Sequence, residues 1–480
     1  MTYAEYGDTV ENLARGLLAA GIRPGEVVAV FLPNCWEFCA SYHAITLAGA
    51  VPTLLNPSYR EREVRYQLEN SGAAMLISNG CNLEGIALAG IQKLRRVYTT
   101  REASLGAEDF STLLKPSTST FSQPQASSEQ TIAALPYSSG TTGLPKGVML
   151  SHRNLVANIL QVDSAGHLRD GDDTLVSFLP FFHIYGLVVI MLLGLRSGAS
   201  IVVMPRFDLE TYLDLVERHR ATMLHVVPPI VLALAKTPSS RARDLASVRK
   251  LFSGAAPLGA DVIRQCTARV GCFLQQGYGL TESSPATHTT PDDPANMKPG
   301  SIGAPVANTE CRVVDPATRE DVDPGQDGEI WIRGPQVMLG YLNCPDATRA
   351  TVDHEGWLHT GDIGHADADG DFFIVDRLKE LIKYKGMQIA PAELESLLLS
   401  HPAVADAAVV SQKDEAAGEI PRAFVVLKAP ATADDLMIFV AGRVASYKKI
   451  RRLDFIDAIP KSPSGKILRR VLRDTYCQPG

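Results

Sequence analysis

No Cys-x-x-Cys pair occurs in this 480-residue chain, whose eight cysteines stand apart at positions 35, 39, 81, 266, 272, 311, 344 and 477. That scatter suggests neither a zinc cage nor a disulfide framework; Cys35 and Cys39 could share a helix face, and free buried thiols are the expectation for them. Long apolar runs are also missing. The longest, Ile184–Leu195, is twelve residues long and stops at Arg196, too short to span a bilayer. Positive charge is in deficit: 46 Lys and Arg face 53 Asp and Glu, a net −7 that argues against general nucleic-acid binding. The start, Met1-Thr2-Tyr3-Ala4-Glu5, is no signal peptide. The end, Cys477-Gln478-Pro479-Gly480, is neither a peroxisomal tripeptide nor a prenylation box. A cytoplasmic location is the expectation. No internal repeat and no Leu-Gly-Gly-x-Ser carrier motif is present, which points to a stand-alone protein.

What is present is ordinary globular material: 45% apolar and 21% charged residues, long enough for two or three domains. Up to about residue 300, apolar runs alternate between strand and helix periodicity. Helices are expected near 8–20, 35–48, 60–69, 154–160, 184–195 and 208–219. Strands are expected at 27–32, 50–55, 74–77, 174–179, 200–204, 223–227 and 249–252. Such alternation implies parallel sheets covered on both faces. From about 300 to 376, short β-type runs separated by Gly, Pro and Asp turns (Glu310–Val314, Gly328–Arg333, Phe372–Val375) predict an antiparallel subdomain. A compact α+β tail follows, with helices near 391–400, 433–445 and 466–473 and strands at 406–411, 422–428 and 453–457. The fold class is therefore α/β: a large N-terminal domain of parallel-rich sheets with helices plus a β-subdomain, hinged to a small α+β C-terminal domain. The expected division is 1–376, a hinge at 377–380, and 381–480.

The stretch Tyr137-Ser138-Ser139-Gly140-Thr141-Thr142-Gly143-Leu144-Pro145-Lys146-Gly147 concentrates the chemistry. Four aliphatic hydroxyls, three glycines and one lysine lie between the apolar runs Ile132–Pro136 and Val148–Leu150. Glycines let backbone N–H groups approach an anion, hydroxyls donate to phosphate oxygens, and the lysine adds a mobile charge. This is a phosphate-gripping pattern but not a Walker A loop, because Pro145 precedes Lys146 and Gly147 follows it. A flexible linker is the competing reading.

Four other stretches carry polar residues in suggestive order. Gln275-Gln276-Gly277-Tyr278-Gly279-Leu280-Thr281-Glu282 offers an aromatic face, a hydroxyl and a carboxylate; Mg²⁺ favours one or two carboxylates plus phosphate oxygens. A β-turn with a capping Thr explains the same residues. Asp362, ending Gly356-Trp357-Leu358-His359-Thr360-Gly361-Asp362, can accept both hydroxyls of a ribose or serve as a turn aspartate. Pro460-Lys461-Ser462-Pro463-Ser464-Gly465-Lys466 presents Lys466 on a loop, where a cation suits charge developing at a phosphate. His183 among aromatics reads first as a packed core residue.

Taken together, these motifs resemble the adenylate-forming superfamily of acyl- and aryl-CoA synthetases, peptide-synthetase adenylation domains and beetle luciferases. The wording Ser-Ser-Gly-Thr-Thr-Gly-Leu-Pro-Lys-Gly-Val is closest to 4-coumarate:CoA ligase-like acid:CoA ligases. The resemblance runs from Thr2 to about Arg473. It implies an AMP-forming carboxylate:CoA ligase using ATP, Mg²⁺ and coenzyme A, with no nucleic-acid partner and a monomeric or homodimeric state. By that resemblance Ser138, Ser139, Gly140, Thr141, Thr142 and Lys146 hold phosphates. Tyr278 stacks on adenine, Ala255, Gln276 and Gly277 also bind the nucleotide, Thr281 meets the α-phosphate, and Glu282 the metal. Asp362 and Arg377 hold the ribose. Lys379 is the hinge and, with Lys383 and Gln388, nucleotide-binding; Arg206, Lys385 and Gly386 contact CoA; Lys466 is catalytic with Thr281 and Glu282. The acyl pocket comprises His183, Tyr185, Val189, Gly254, Ala255, Gly277, Pro285 and Ala286. These small or apolar groups suit a hydroxycinnamate or benzoate, with a medium-chain fatty acid, or carrier-protein loading, as the alternatives. Two departures stand out. Trp331 in Gly328-Glu329-Ile330-Trp331-Ile332-Arg333-Gly334 replaces a usual Cys, and relatives usually carry some tens of residues before a Thr-Tyr-Ala-Glu-like start.

Overall fold

The computed structural model describes the chain except residues 103, 105, 116–127, 139–144, 237–242, 257, 259, 386, 415–416, 463–464 and 478–480, and the side chain of residue 260. Two parallel-rich sheets form the body. The first has the strand order Val51–Leu54, Val27–Phe31, Ala73–Ser78, Arg96–Thr99, Glu108–Asp109, every pairing parallel. All six residues of Ala73–Ser78 are buried, as expected of a strand covered on both faces. The second sheet runs Ser200–Val203, Thr174–Ser177, Met223–Val226, Lys250–Ser253, Phe273–Gly279, and then adds Ala286–Thr289 and Ala304–Pro305 antiparallel. One apolar core, including Leu13, Val30, Ile45, Leu175, Val188 and Leu251, joins both sheets and their helices.

The helices start where the local chemistry says they should. Thr2 and Glu5 form a reciprocal cap on Tyr3–Ala19, Ser151 and Asn154 on His152–Ser164, and Thr432 and Asp435 on Ala433–Ala441. Each such cap contributes about 1 kcal/mol. The antiparallel subdomain is a four-stranded sheet, Glu310–Val314, Gly328–Arg333, Leu358–Ala366, Phe372–Arg377. Trp331 is buried there, stacked on His359 at 3.9 Å between ring centroids, and its indole N–H donates to Glu329 at 2.9 Å. The tail forms its own sheet of Met387–Ile389, Ile382–Tyr384, Gly418–Leu427 and Val404–Asp414, with Arg452–Phe455 beside it, and its own core around Ile382, Leu394, Val409 and Leu436.

Three expected elements are corrected. The segment expected as a helix over 184–195 is a wide π-type helix at Tyr185–Leu192, continued as an α-helix at Leu193–Arg196. Periodicity could not show this, because an entirely apolar run has no polar face to reveal its pitch. The C-terminal helix spans Arg469–Tyr476 rather than 466–473. Lys461 pairs with Ile467 in a bridge and Gly465 takes φ 81°, so Lys466 stands on a tight hairpin before the helix. The helix expected over 433–445 ends at Ala441, capped by Gly442. All eight cysteines are free. Among the described residues, no helix is long and apolar enough to cross a membrane.

Candidate active site

The antiparallel sheet aligns the first pair of polar groups. Asp362 lies directly opposite Arg377 in the register of adjacent strands. Arg377 Nε is 3.0 Å from Asp362 Oδ1, and the Tyr278 hydroxyl donates to Oδ2 at 2.6 Å. The Asp362 N–H donates to Thr360 Oγ1, whose hydroxyl donates to the Ile330 carbonyl at 2.6 Å, and the Gly361 N–H donates to Glu329. A carboxylate held this firmly, only 4% exposed, is an oriented acceptor. Burial and the Asp362 charge push the Tyr278 phenol far above its ordinary range, so it stays a donor.

The segment expected to hold phosphates leads into the strand Lys146–Ser151, with Ser138 paired opposite Lys146. Ser139, Gly140, Thr141 and Thr142 lie outside the described residues. Their flanks are fixed: the Tyr66 hydroxyl donates to the Pro145 carbonyl at 2.9 Å, and Tyr137 donates to Asn70 at 2.7 Å. Thr281–Ser283 forms a short 3₁₀ turn that leaves Thr281 and Glu282 half-buried. Glu282 accepts from the Tyr341 hydroxyl at 2.7 Å, and Lys146 Nζ lies 5.2 Å above the Tyr341 ring. Tyr341 was not a sequence candidate; it sits in an apolar-looking run with no polar pattern around it. Among the described residues no cluster of three or more metal-ligating side chains exists. A single carboxylate fits Mg²⁺ carried in on a nucleotide better than a resident ion, since Mg²⁺ takes most of its ligands from phosphates and water.

Lys466 enters from the C-terminal domain. Its hairpin is closed by Gly465 N–H to the Ser462 carbonyl at 2.8 Å and by Ser462 N–H to the Lys466 carbonyl at 2.8 Å. The hairpin packs on the N-terminal domain: a Cβ added at Gly465 would lie 3.2 Å from Pro229 Cδ and 3.4 Å from Val227 Cγ2. Lys466 stays exposed to solvent while protein crowds around it. Desolvation there, then the Arg377 charge, brings its ammonium down to about 8, while Asp362 and Glu282 pull the other way. His183 is lowered to about 4, by burial and then by Lys466. It is therefore a neutral, half-buried group beside Lys466 rather than a residue of the packed interior. Lys466 thus lies near enough to Asp362, Arg377, Glu282 and His183 for their charges to influence one another.

The residues expected at an acyl pocket pack by shape instead. Tyr185 donates to the Phe252 carbonyl at 3.0 Å, and its ring lies 3.5 Å from where a Cβ at Gly254 would stand. A Cβ at Gly277 would come within 2.4 Å of Phe252 Cζ, so only glycine permits that ring to lie on the strand. Phe252 was not a sequence candidate, because its role depends on which strand it neighbours. Behind it, His167 meets its ring edge-on at 4.3 Å and shares a 2.8 Å hydrogen bond with His225. Burial first, and Lys250 nearby, holds both imidazoles neutral, His225 at about 3. Val189, Pro285 and Ala286 are buried in this part of the molecule, and Ala255 takes left-handed backbone, φ 74°. Gln276 is turned elsewhere, donating to the Ser301 carbonyl at 3.0 Å. Arg206, Lys379, Lys383, Lys385 and Gln388 are exposed, and Gly386 lies outside the described residues.

A fold of two parallel-rich sheets and an α+β tail with its own core, carrying these polar groups, defines an adenylate-forming enzyme. The chain belongs to the AMP-binding enzymes: residues 1–342 match the family's AMP-binding enzyme model and 393–466 its C-terminal domain. Among curated relatives, 4-coumarate–CoA ligase 3 of Oryza sativa subsp. japonica is 45% identical over 484 residues, 98% of this chain and 86% of that one. 4-Coumarate–CoA ligase 2 of Nicotiana tabacum is 44% identical, over 98% and 89% of the two chains. Solved structures agree. ATP-bound MatB from Rhodopseudomonas palustris superposes with a TM-score of 0.92 at 30% identity, covering 99% of this chain and 93% of that one. The o-succinylbenzoate CoA synthetase MenE of Bacillus subtilis, in complex with its acyl-adenylate, gives 0.85 at 30% identity over 99% and 94%.

Proposed function

We propose that the protein is an AMP-forming carboxylate:CoA ligase whose acid is an aromatic, hydroxycinnamate-like carboxylate. In the first half-reaction a carboxylate oxygen attacks the α-phosphorus of ATP, and the bond to pyrophosphate breaks to give acyl-AMP. In the second, CoA thiolate attacks the acyl carbonyl and AMP leaves. The observation that carries the reading is Asp362, held by Arg377 at 3.0 Å and by the Tyr278 hydroxyl at 2.6 Å, with Lys466 near enough to feel the charges of Asp362, Arg377 and Glu282.

The protein's task is to hold two anions together and offset their repulsion. Asp362, oriented by Tyr278 and Arg377, takes the ribose hydroxyls. Ser138, Lys146 and the loop between them take the pyrophosphate end, and Thr281 the α-phosphate. Glu282 would hold Mg²⁺, which when bound supplies positive charge to the phosphate oxygens. Lys466 meets the oxygen developing charge between carboxylate and phosphorus. The remaining sequence candidates, Ala255, Gly277, Lys379, Lys383 and Gln388, complete the nucleotide's surroundings. For the thioester step the domain beyond about residue 380 turns at Lys379, withdrawing Lys466 and bringing Lys385, with Gly386 and Arg206, to CoA. The aromatic acid is supported by the floor that Phe252 makes over Gly277, which suits a flat ring better than a long alkyl chain. A medium-chain fatty acid and a carrier-protein acceptor are the other readings. Incubation with 4-coumarate, MgATP and CoA tests the whole. AMP, pyrophosphate and coumaroyl thioester in equal amounts support it. Adenylate that persists when CoA is added would move the acceptor to a carrier protein.

A further inference from the structure

Lys146 and Glu282 carry opposite charges and are linked through a third residue. One side chain serves both. The Tyr341 hydroxyl donates to Glu282 Oε1 at 2.7 Å while the face of its ring lies 5.2 Å below Lys146 Nζ. The backbone around it is fixed at several points. Tyr341 pairs with Val148 two residues after Lys146, the Leu342 N–H donates to the Gly147 carbonyl at 2.8 Å, and the Tyr341 N–H donates to Thr348 Oγ1 at 2.9 Å. The Met338 N–H donates to the Glu282 carbonyl at 2.9 Å, so one segment braces both the lysine strand and the glutamate turn. Tyr341 itself is 8% exposed.

We infer that Tyr341 is a positioning residue that keeps Lys146 and Glu282 apart and oriented, so that each stays available to the phosphates and the cation of an incoming MgATP. The inference rests on the reading of these two residues given above. The physical reason is that an ammonium and a carboxylate free to meet would neutralise one another and present nothing to the ligand. A phenol donates to the carboxylate, and its ring face attracts the ammonium, without cancelling either charge.

The test is Tyr341→Phe, which keeps the ring and removes only the hydroxyl. MgATP binding by calorimetry and the Mg²⁺ concentration giving half-maximal carboxylate-dependent ATP–pyrophosphate exchange are both expected to worsen about tenfold, the usual effect of losing a group that orients a ligand. Thioester formation from supplied coumaroyl-AMP should stay within about twofold. In a Glu282→Gln background, the same change should add less than a further twofold. Equal losses in both backgrounds, or a loss shared by the thioester step, would overturn the inference and leave Tyr341 a packing residue. Should Tyr341→Phe not fold, Glu282→Asp, which draws the carboxylate away from the phenol, is expected to give the same pattern. If the wild-type protein shows no carboxylate-dependent exchange at all, the parent reading fails, and this inference with it.

Discussion

The two ends of the cleft are held together by opposite means. At the nucleotide end, charged and hydroxylated side chains fix one another: Arg377 and Tyr278 on Asp362, Tyr341 on Glu282 and Lys146. At the acyl end, shape does the work: Tyr185 and Phe252 lie against Gly254 and Gly277, with a neutral His167–His225 pair behind. On the proposed reading the first arrangement sets the reaction, because hydrogen-bond donors and charges would match phosphate and ribose whatever acid is attached. The second specifies an acid, because a cavity discriminates by volume, and one methylene is worth only ~1–3 kcal/mol. Changes at the two ends should therefore separate into loss of chemistry and change of substrate.

The largest effect is expected from Lys466→Ala. Adenylation should fall by about 10²–10³ or more, while thioester formation from supplied acyl-AMP is spared. Equal loss of both half-reactions would erase the distinction between a reacting group and a structural one. Next comes Asp362→Asn, which keeps the shape but removes the charge that Arg377 and Tyr278 hold. The KM for ATP should rise by about 10–100-fold with no change in the ranking of acids. At the other end, Gly277→Ala would drive a methyl into the Phe252 ring, whereas Phe252→Leu opens the floor. Phe252→Leu should shift relative kcat/KM toward alkyl acids by about tenfold and leave ATP kinetics alone. A shift in ATP binding of the same size would show that the two ends are not separable.

The smallest expected effect is on pH. Lys466 is lowered to about 8, so it is cationic below that value and neutral above it. Adenylation kcat/KM, which reports the free enzyme, should therefore decline as pH rises through about 8. That decline should be missing from Lys466→Arg.

The same contrast explains what could be read from sequence. Tyr278, Glu282, Asp362, Arg377 and Lys466 were singled out through the resemblance of their motifs to a known family, each having a plainer reading on its own, and the structure sets Asp362 opposite Arg377 with Lys466 in electrostatic reach of both. The alternation of strands and helices up to residue 300 and the antiparallel texture beyond it were legible directly, because periodicity is local. Tyr341 and Phe252 were not legible. Each matters through what a neighbouring strand brings to it, Lys146 and Gly277 respectively, and strand order is not written in either segment. The π-type helix at Tyr185–Leu192 was hidden by uniform apolarity, and the start of the last helix by a hairpin whose glycine reads equally well as a cap.

The most direct measurement is carboxylate-dependent ATP–pyrophosphate exchange across cinnamates, benzoates and C2–C16 alkanoates, each followed by CoA and a thioester assay. The account predicts exchange and thioester with hydroxycinnamates, well above any alkanoate. Exchange with medium-chain alkanoates but not with cinnamates would contradict it, since Phe252 over Gly277 could not then be the floor that selects the acid.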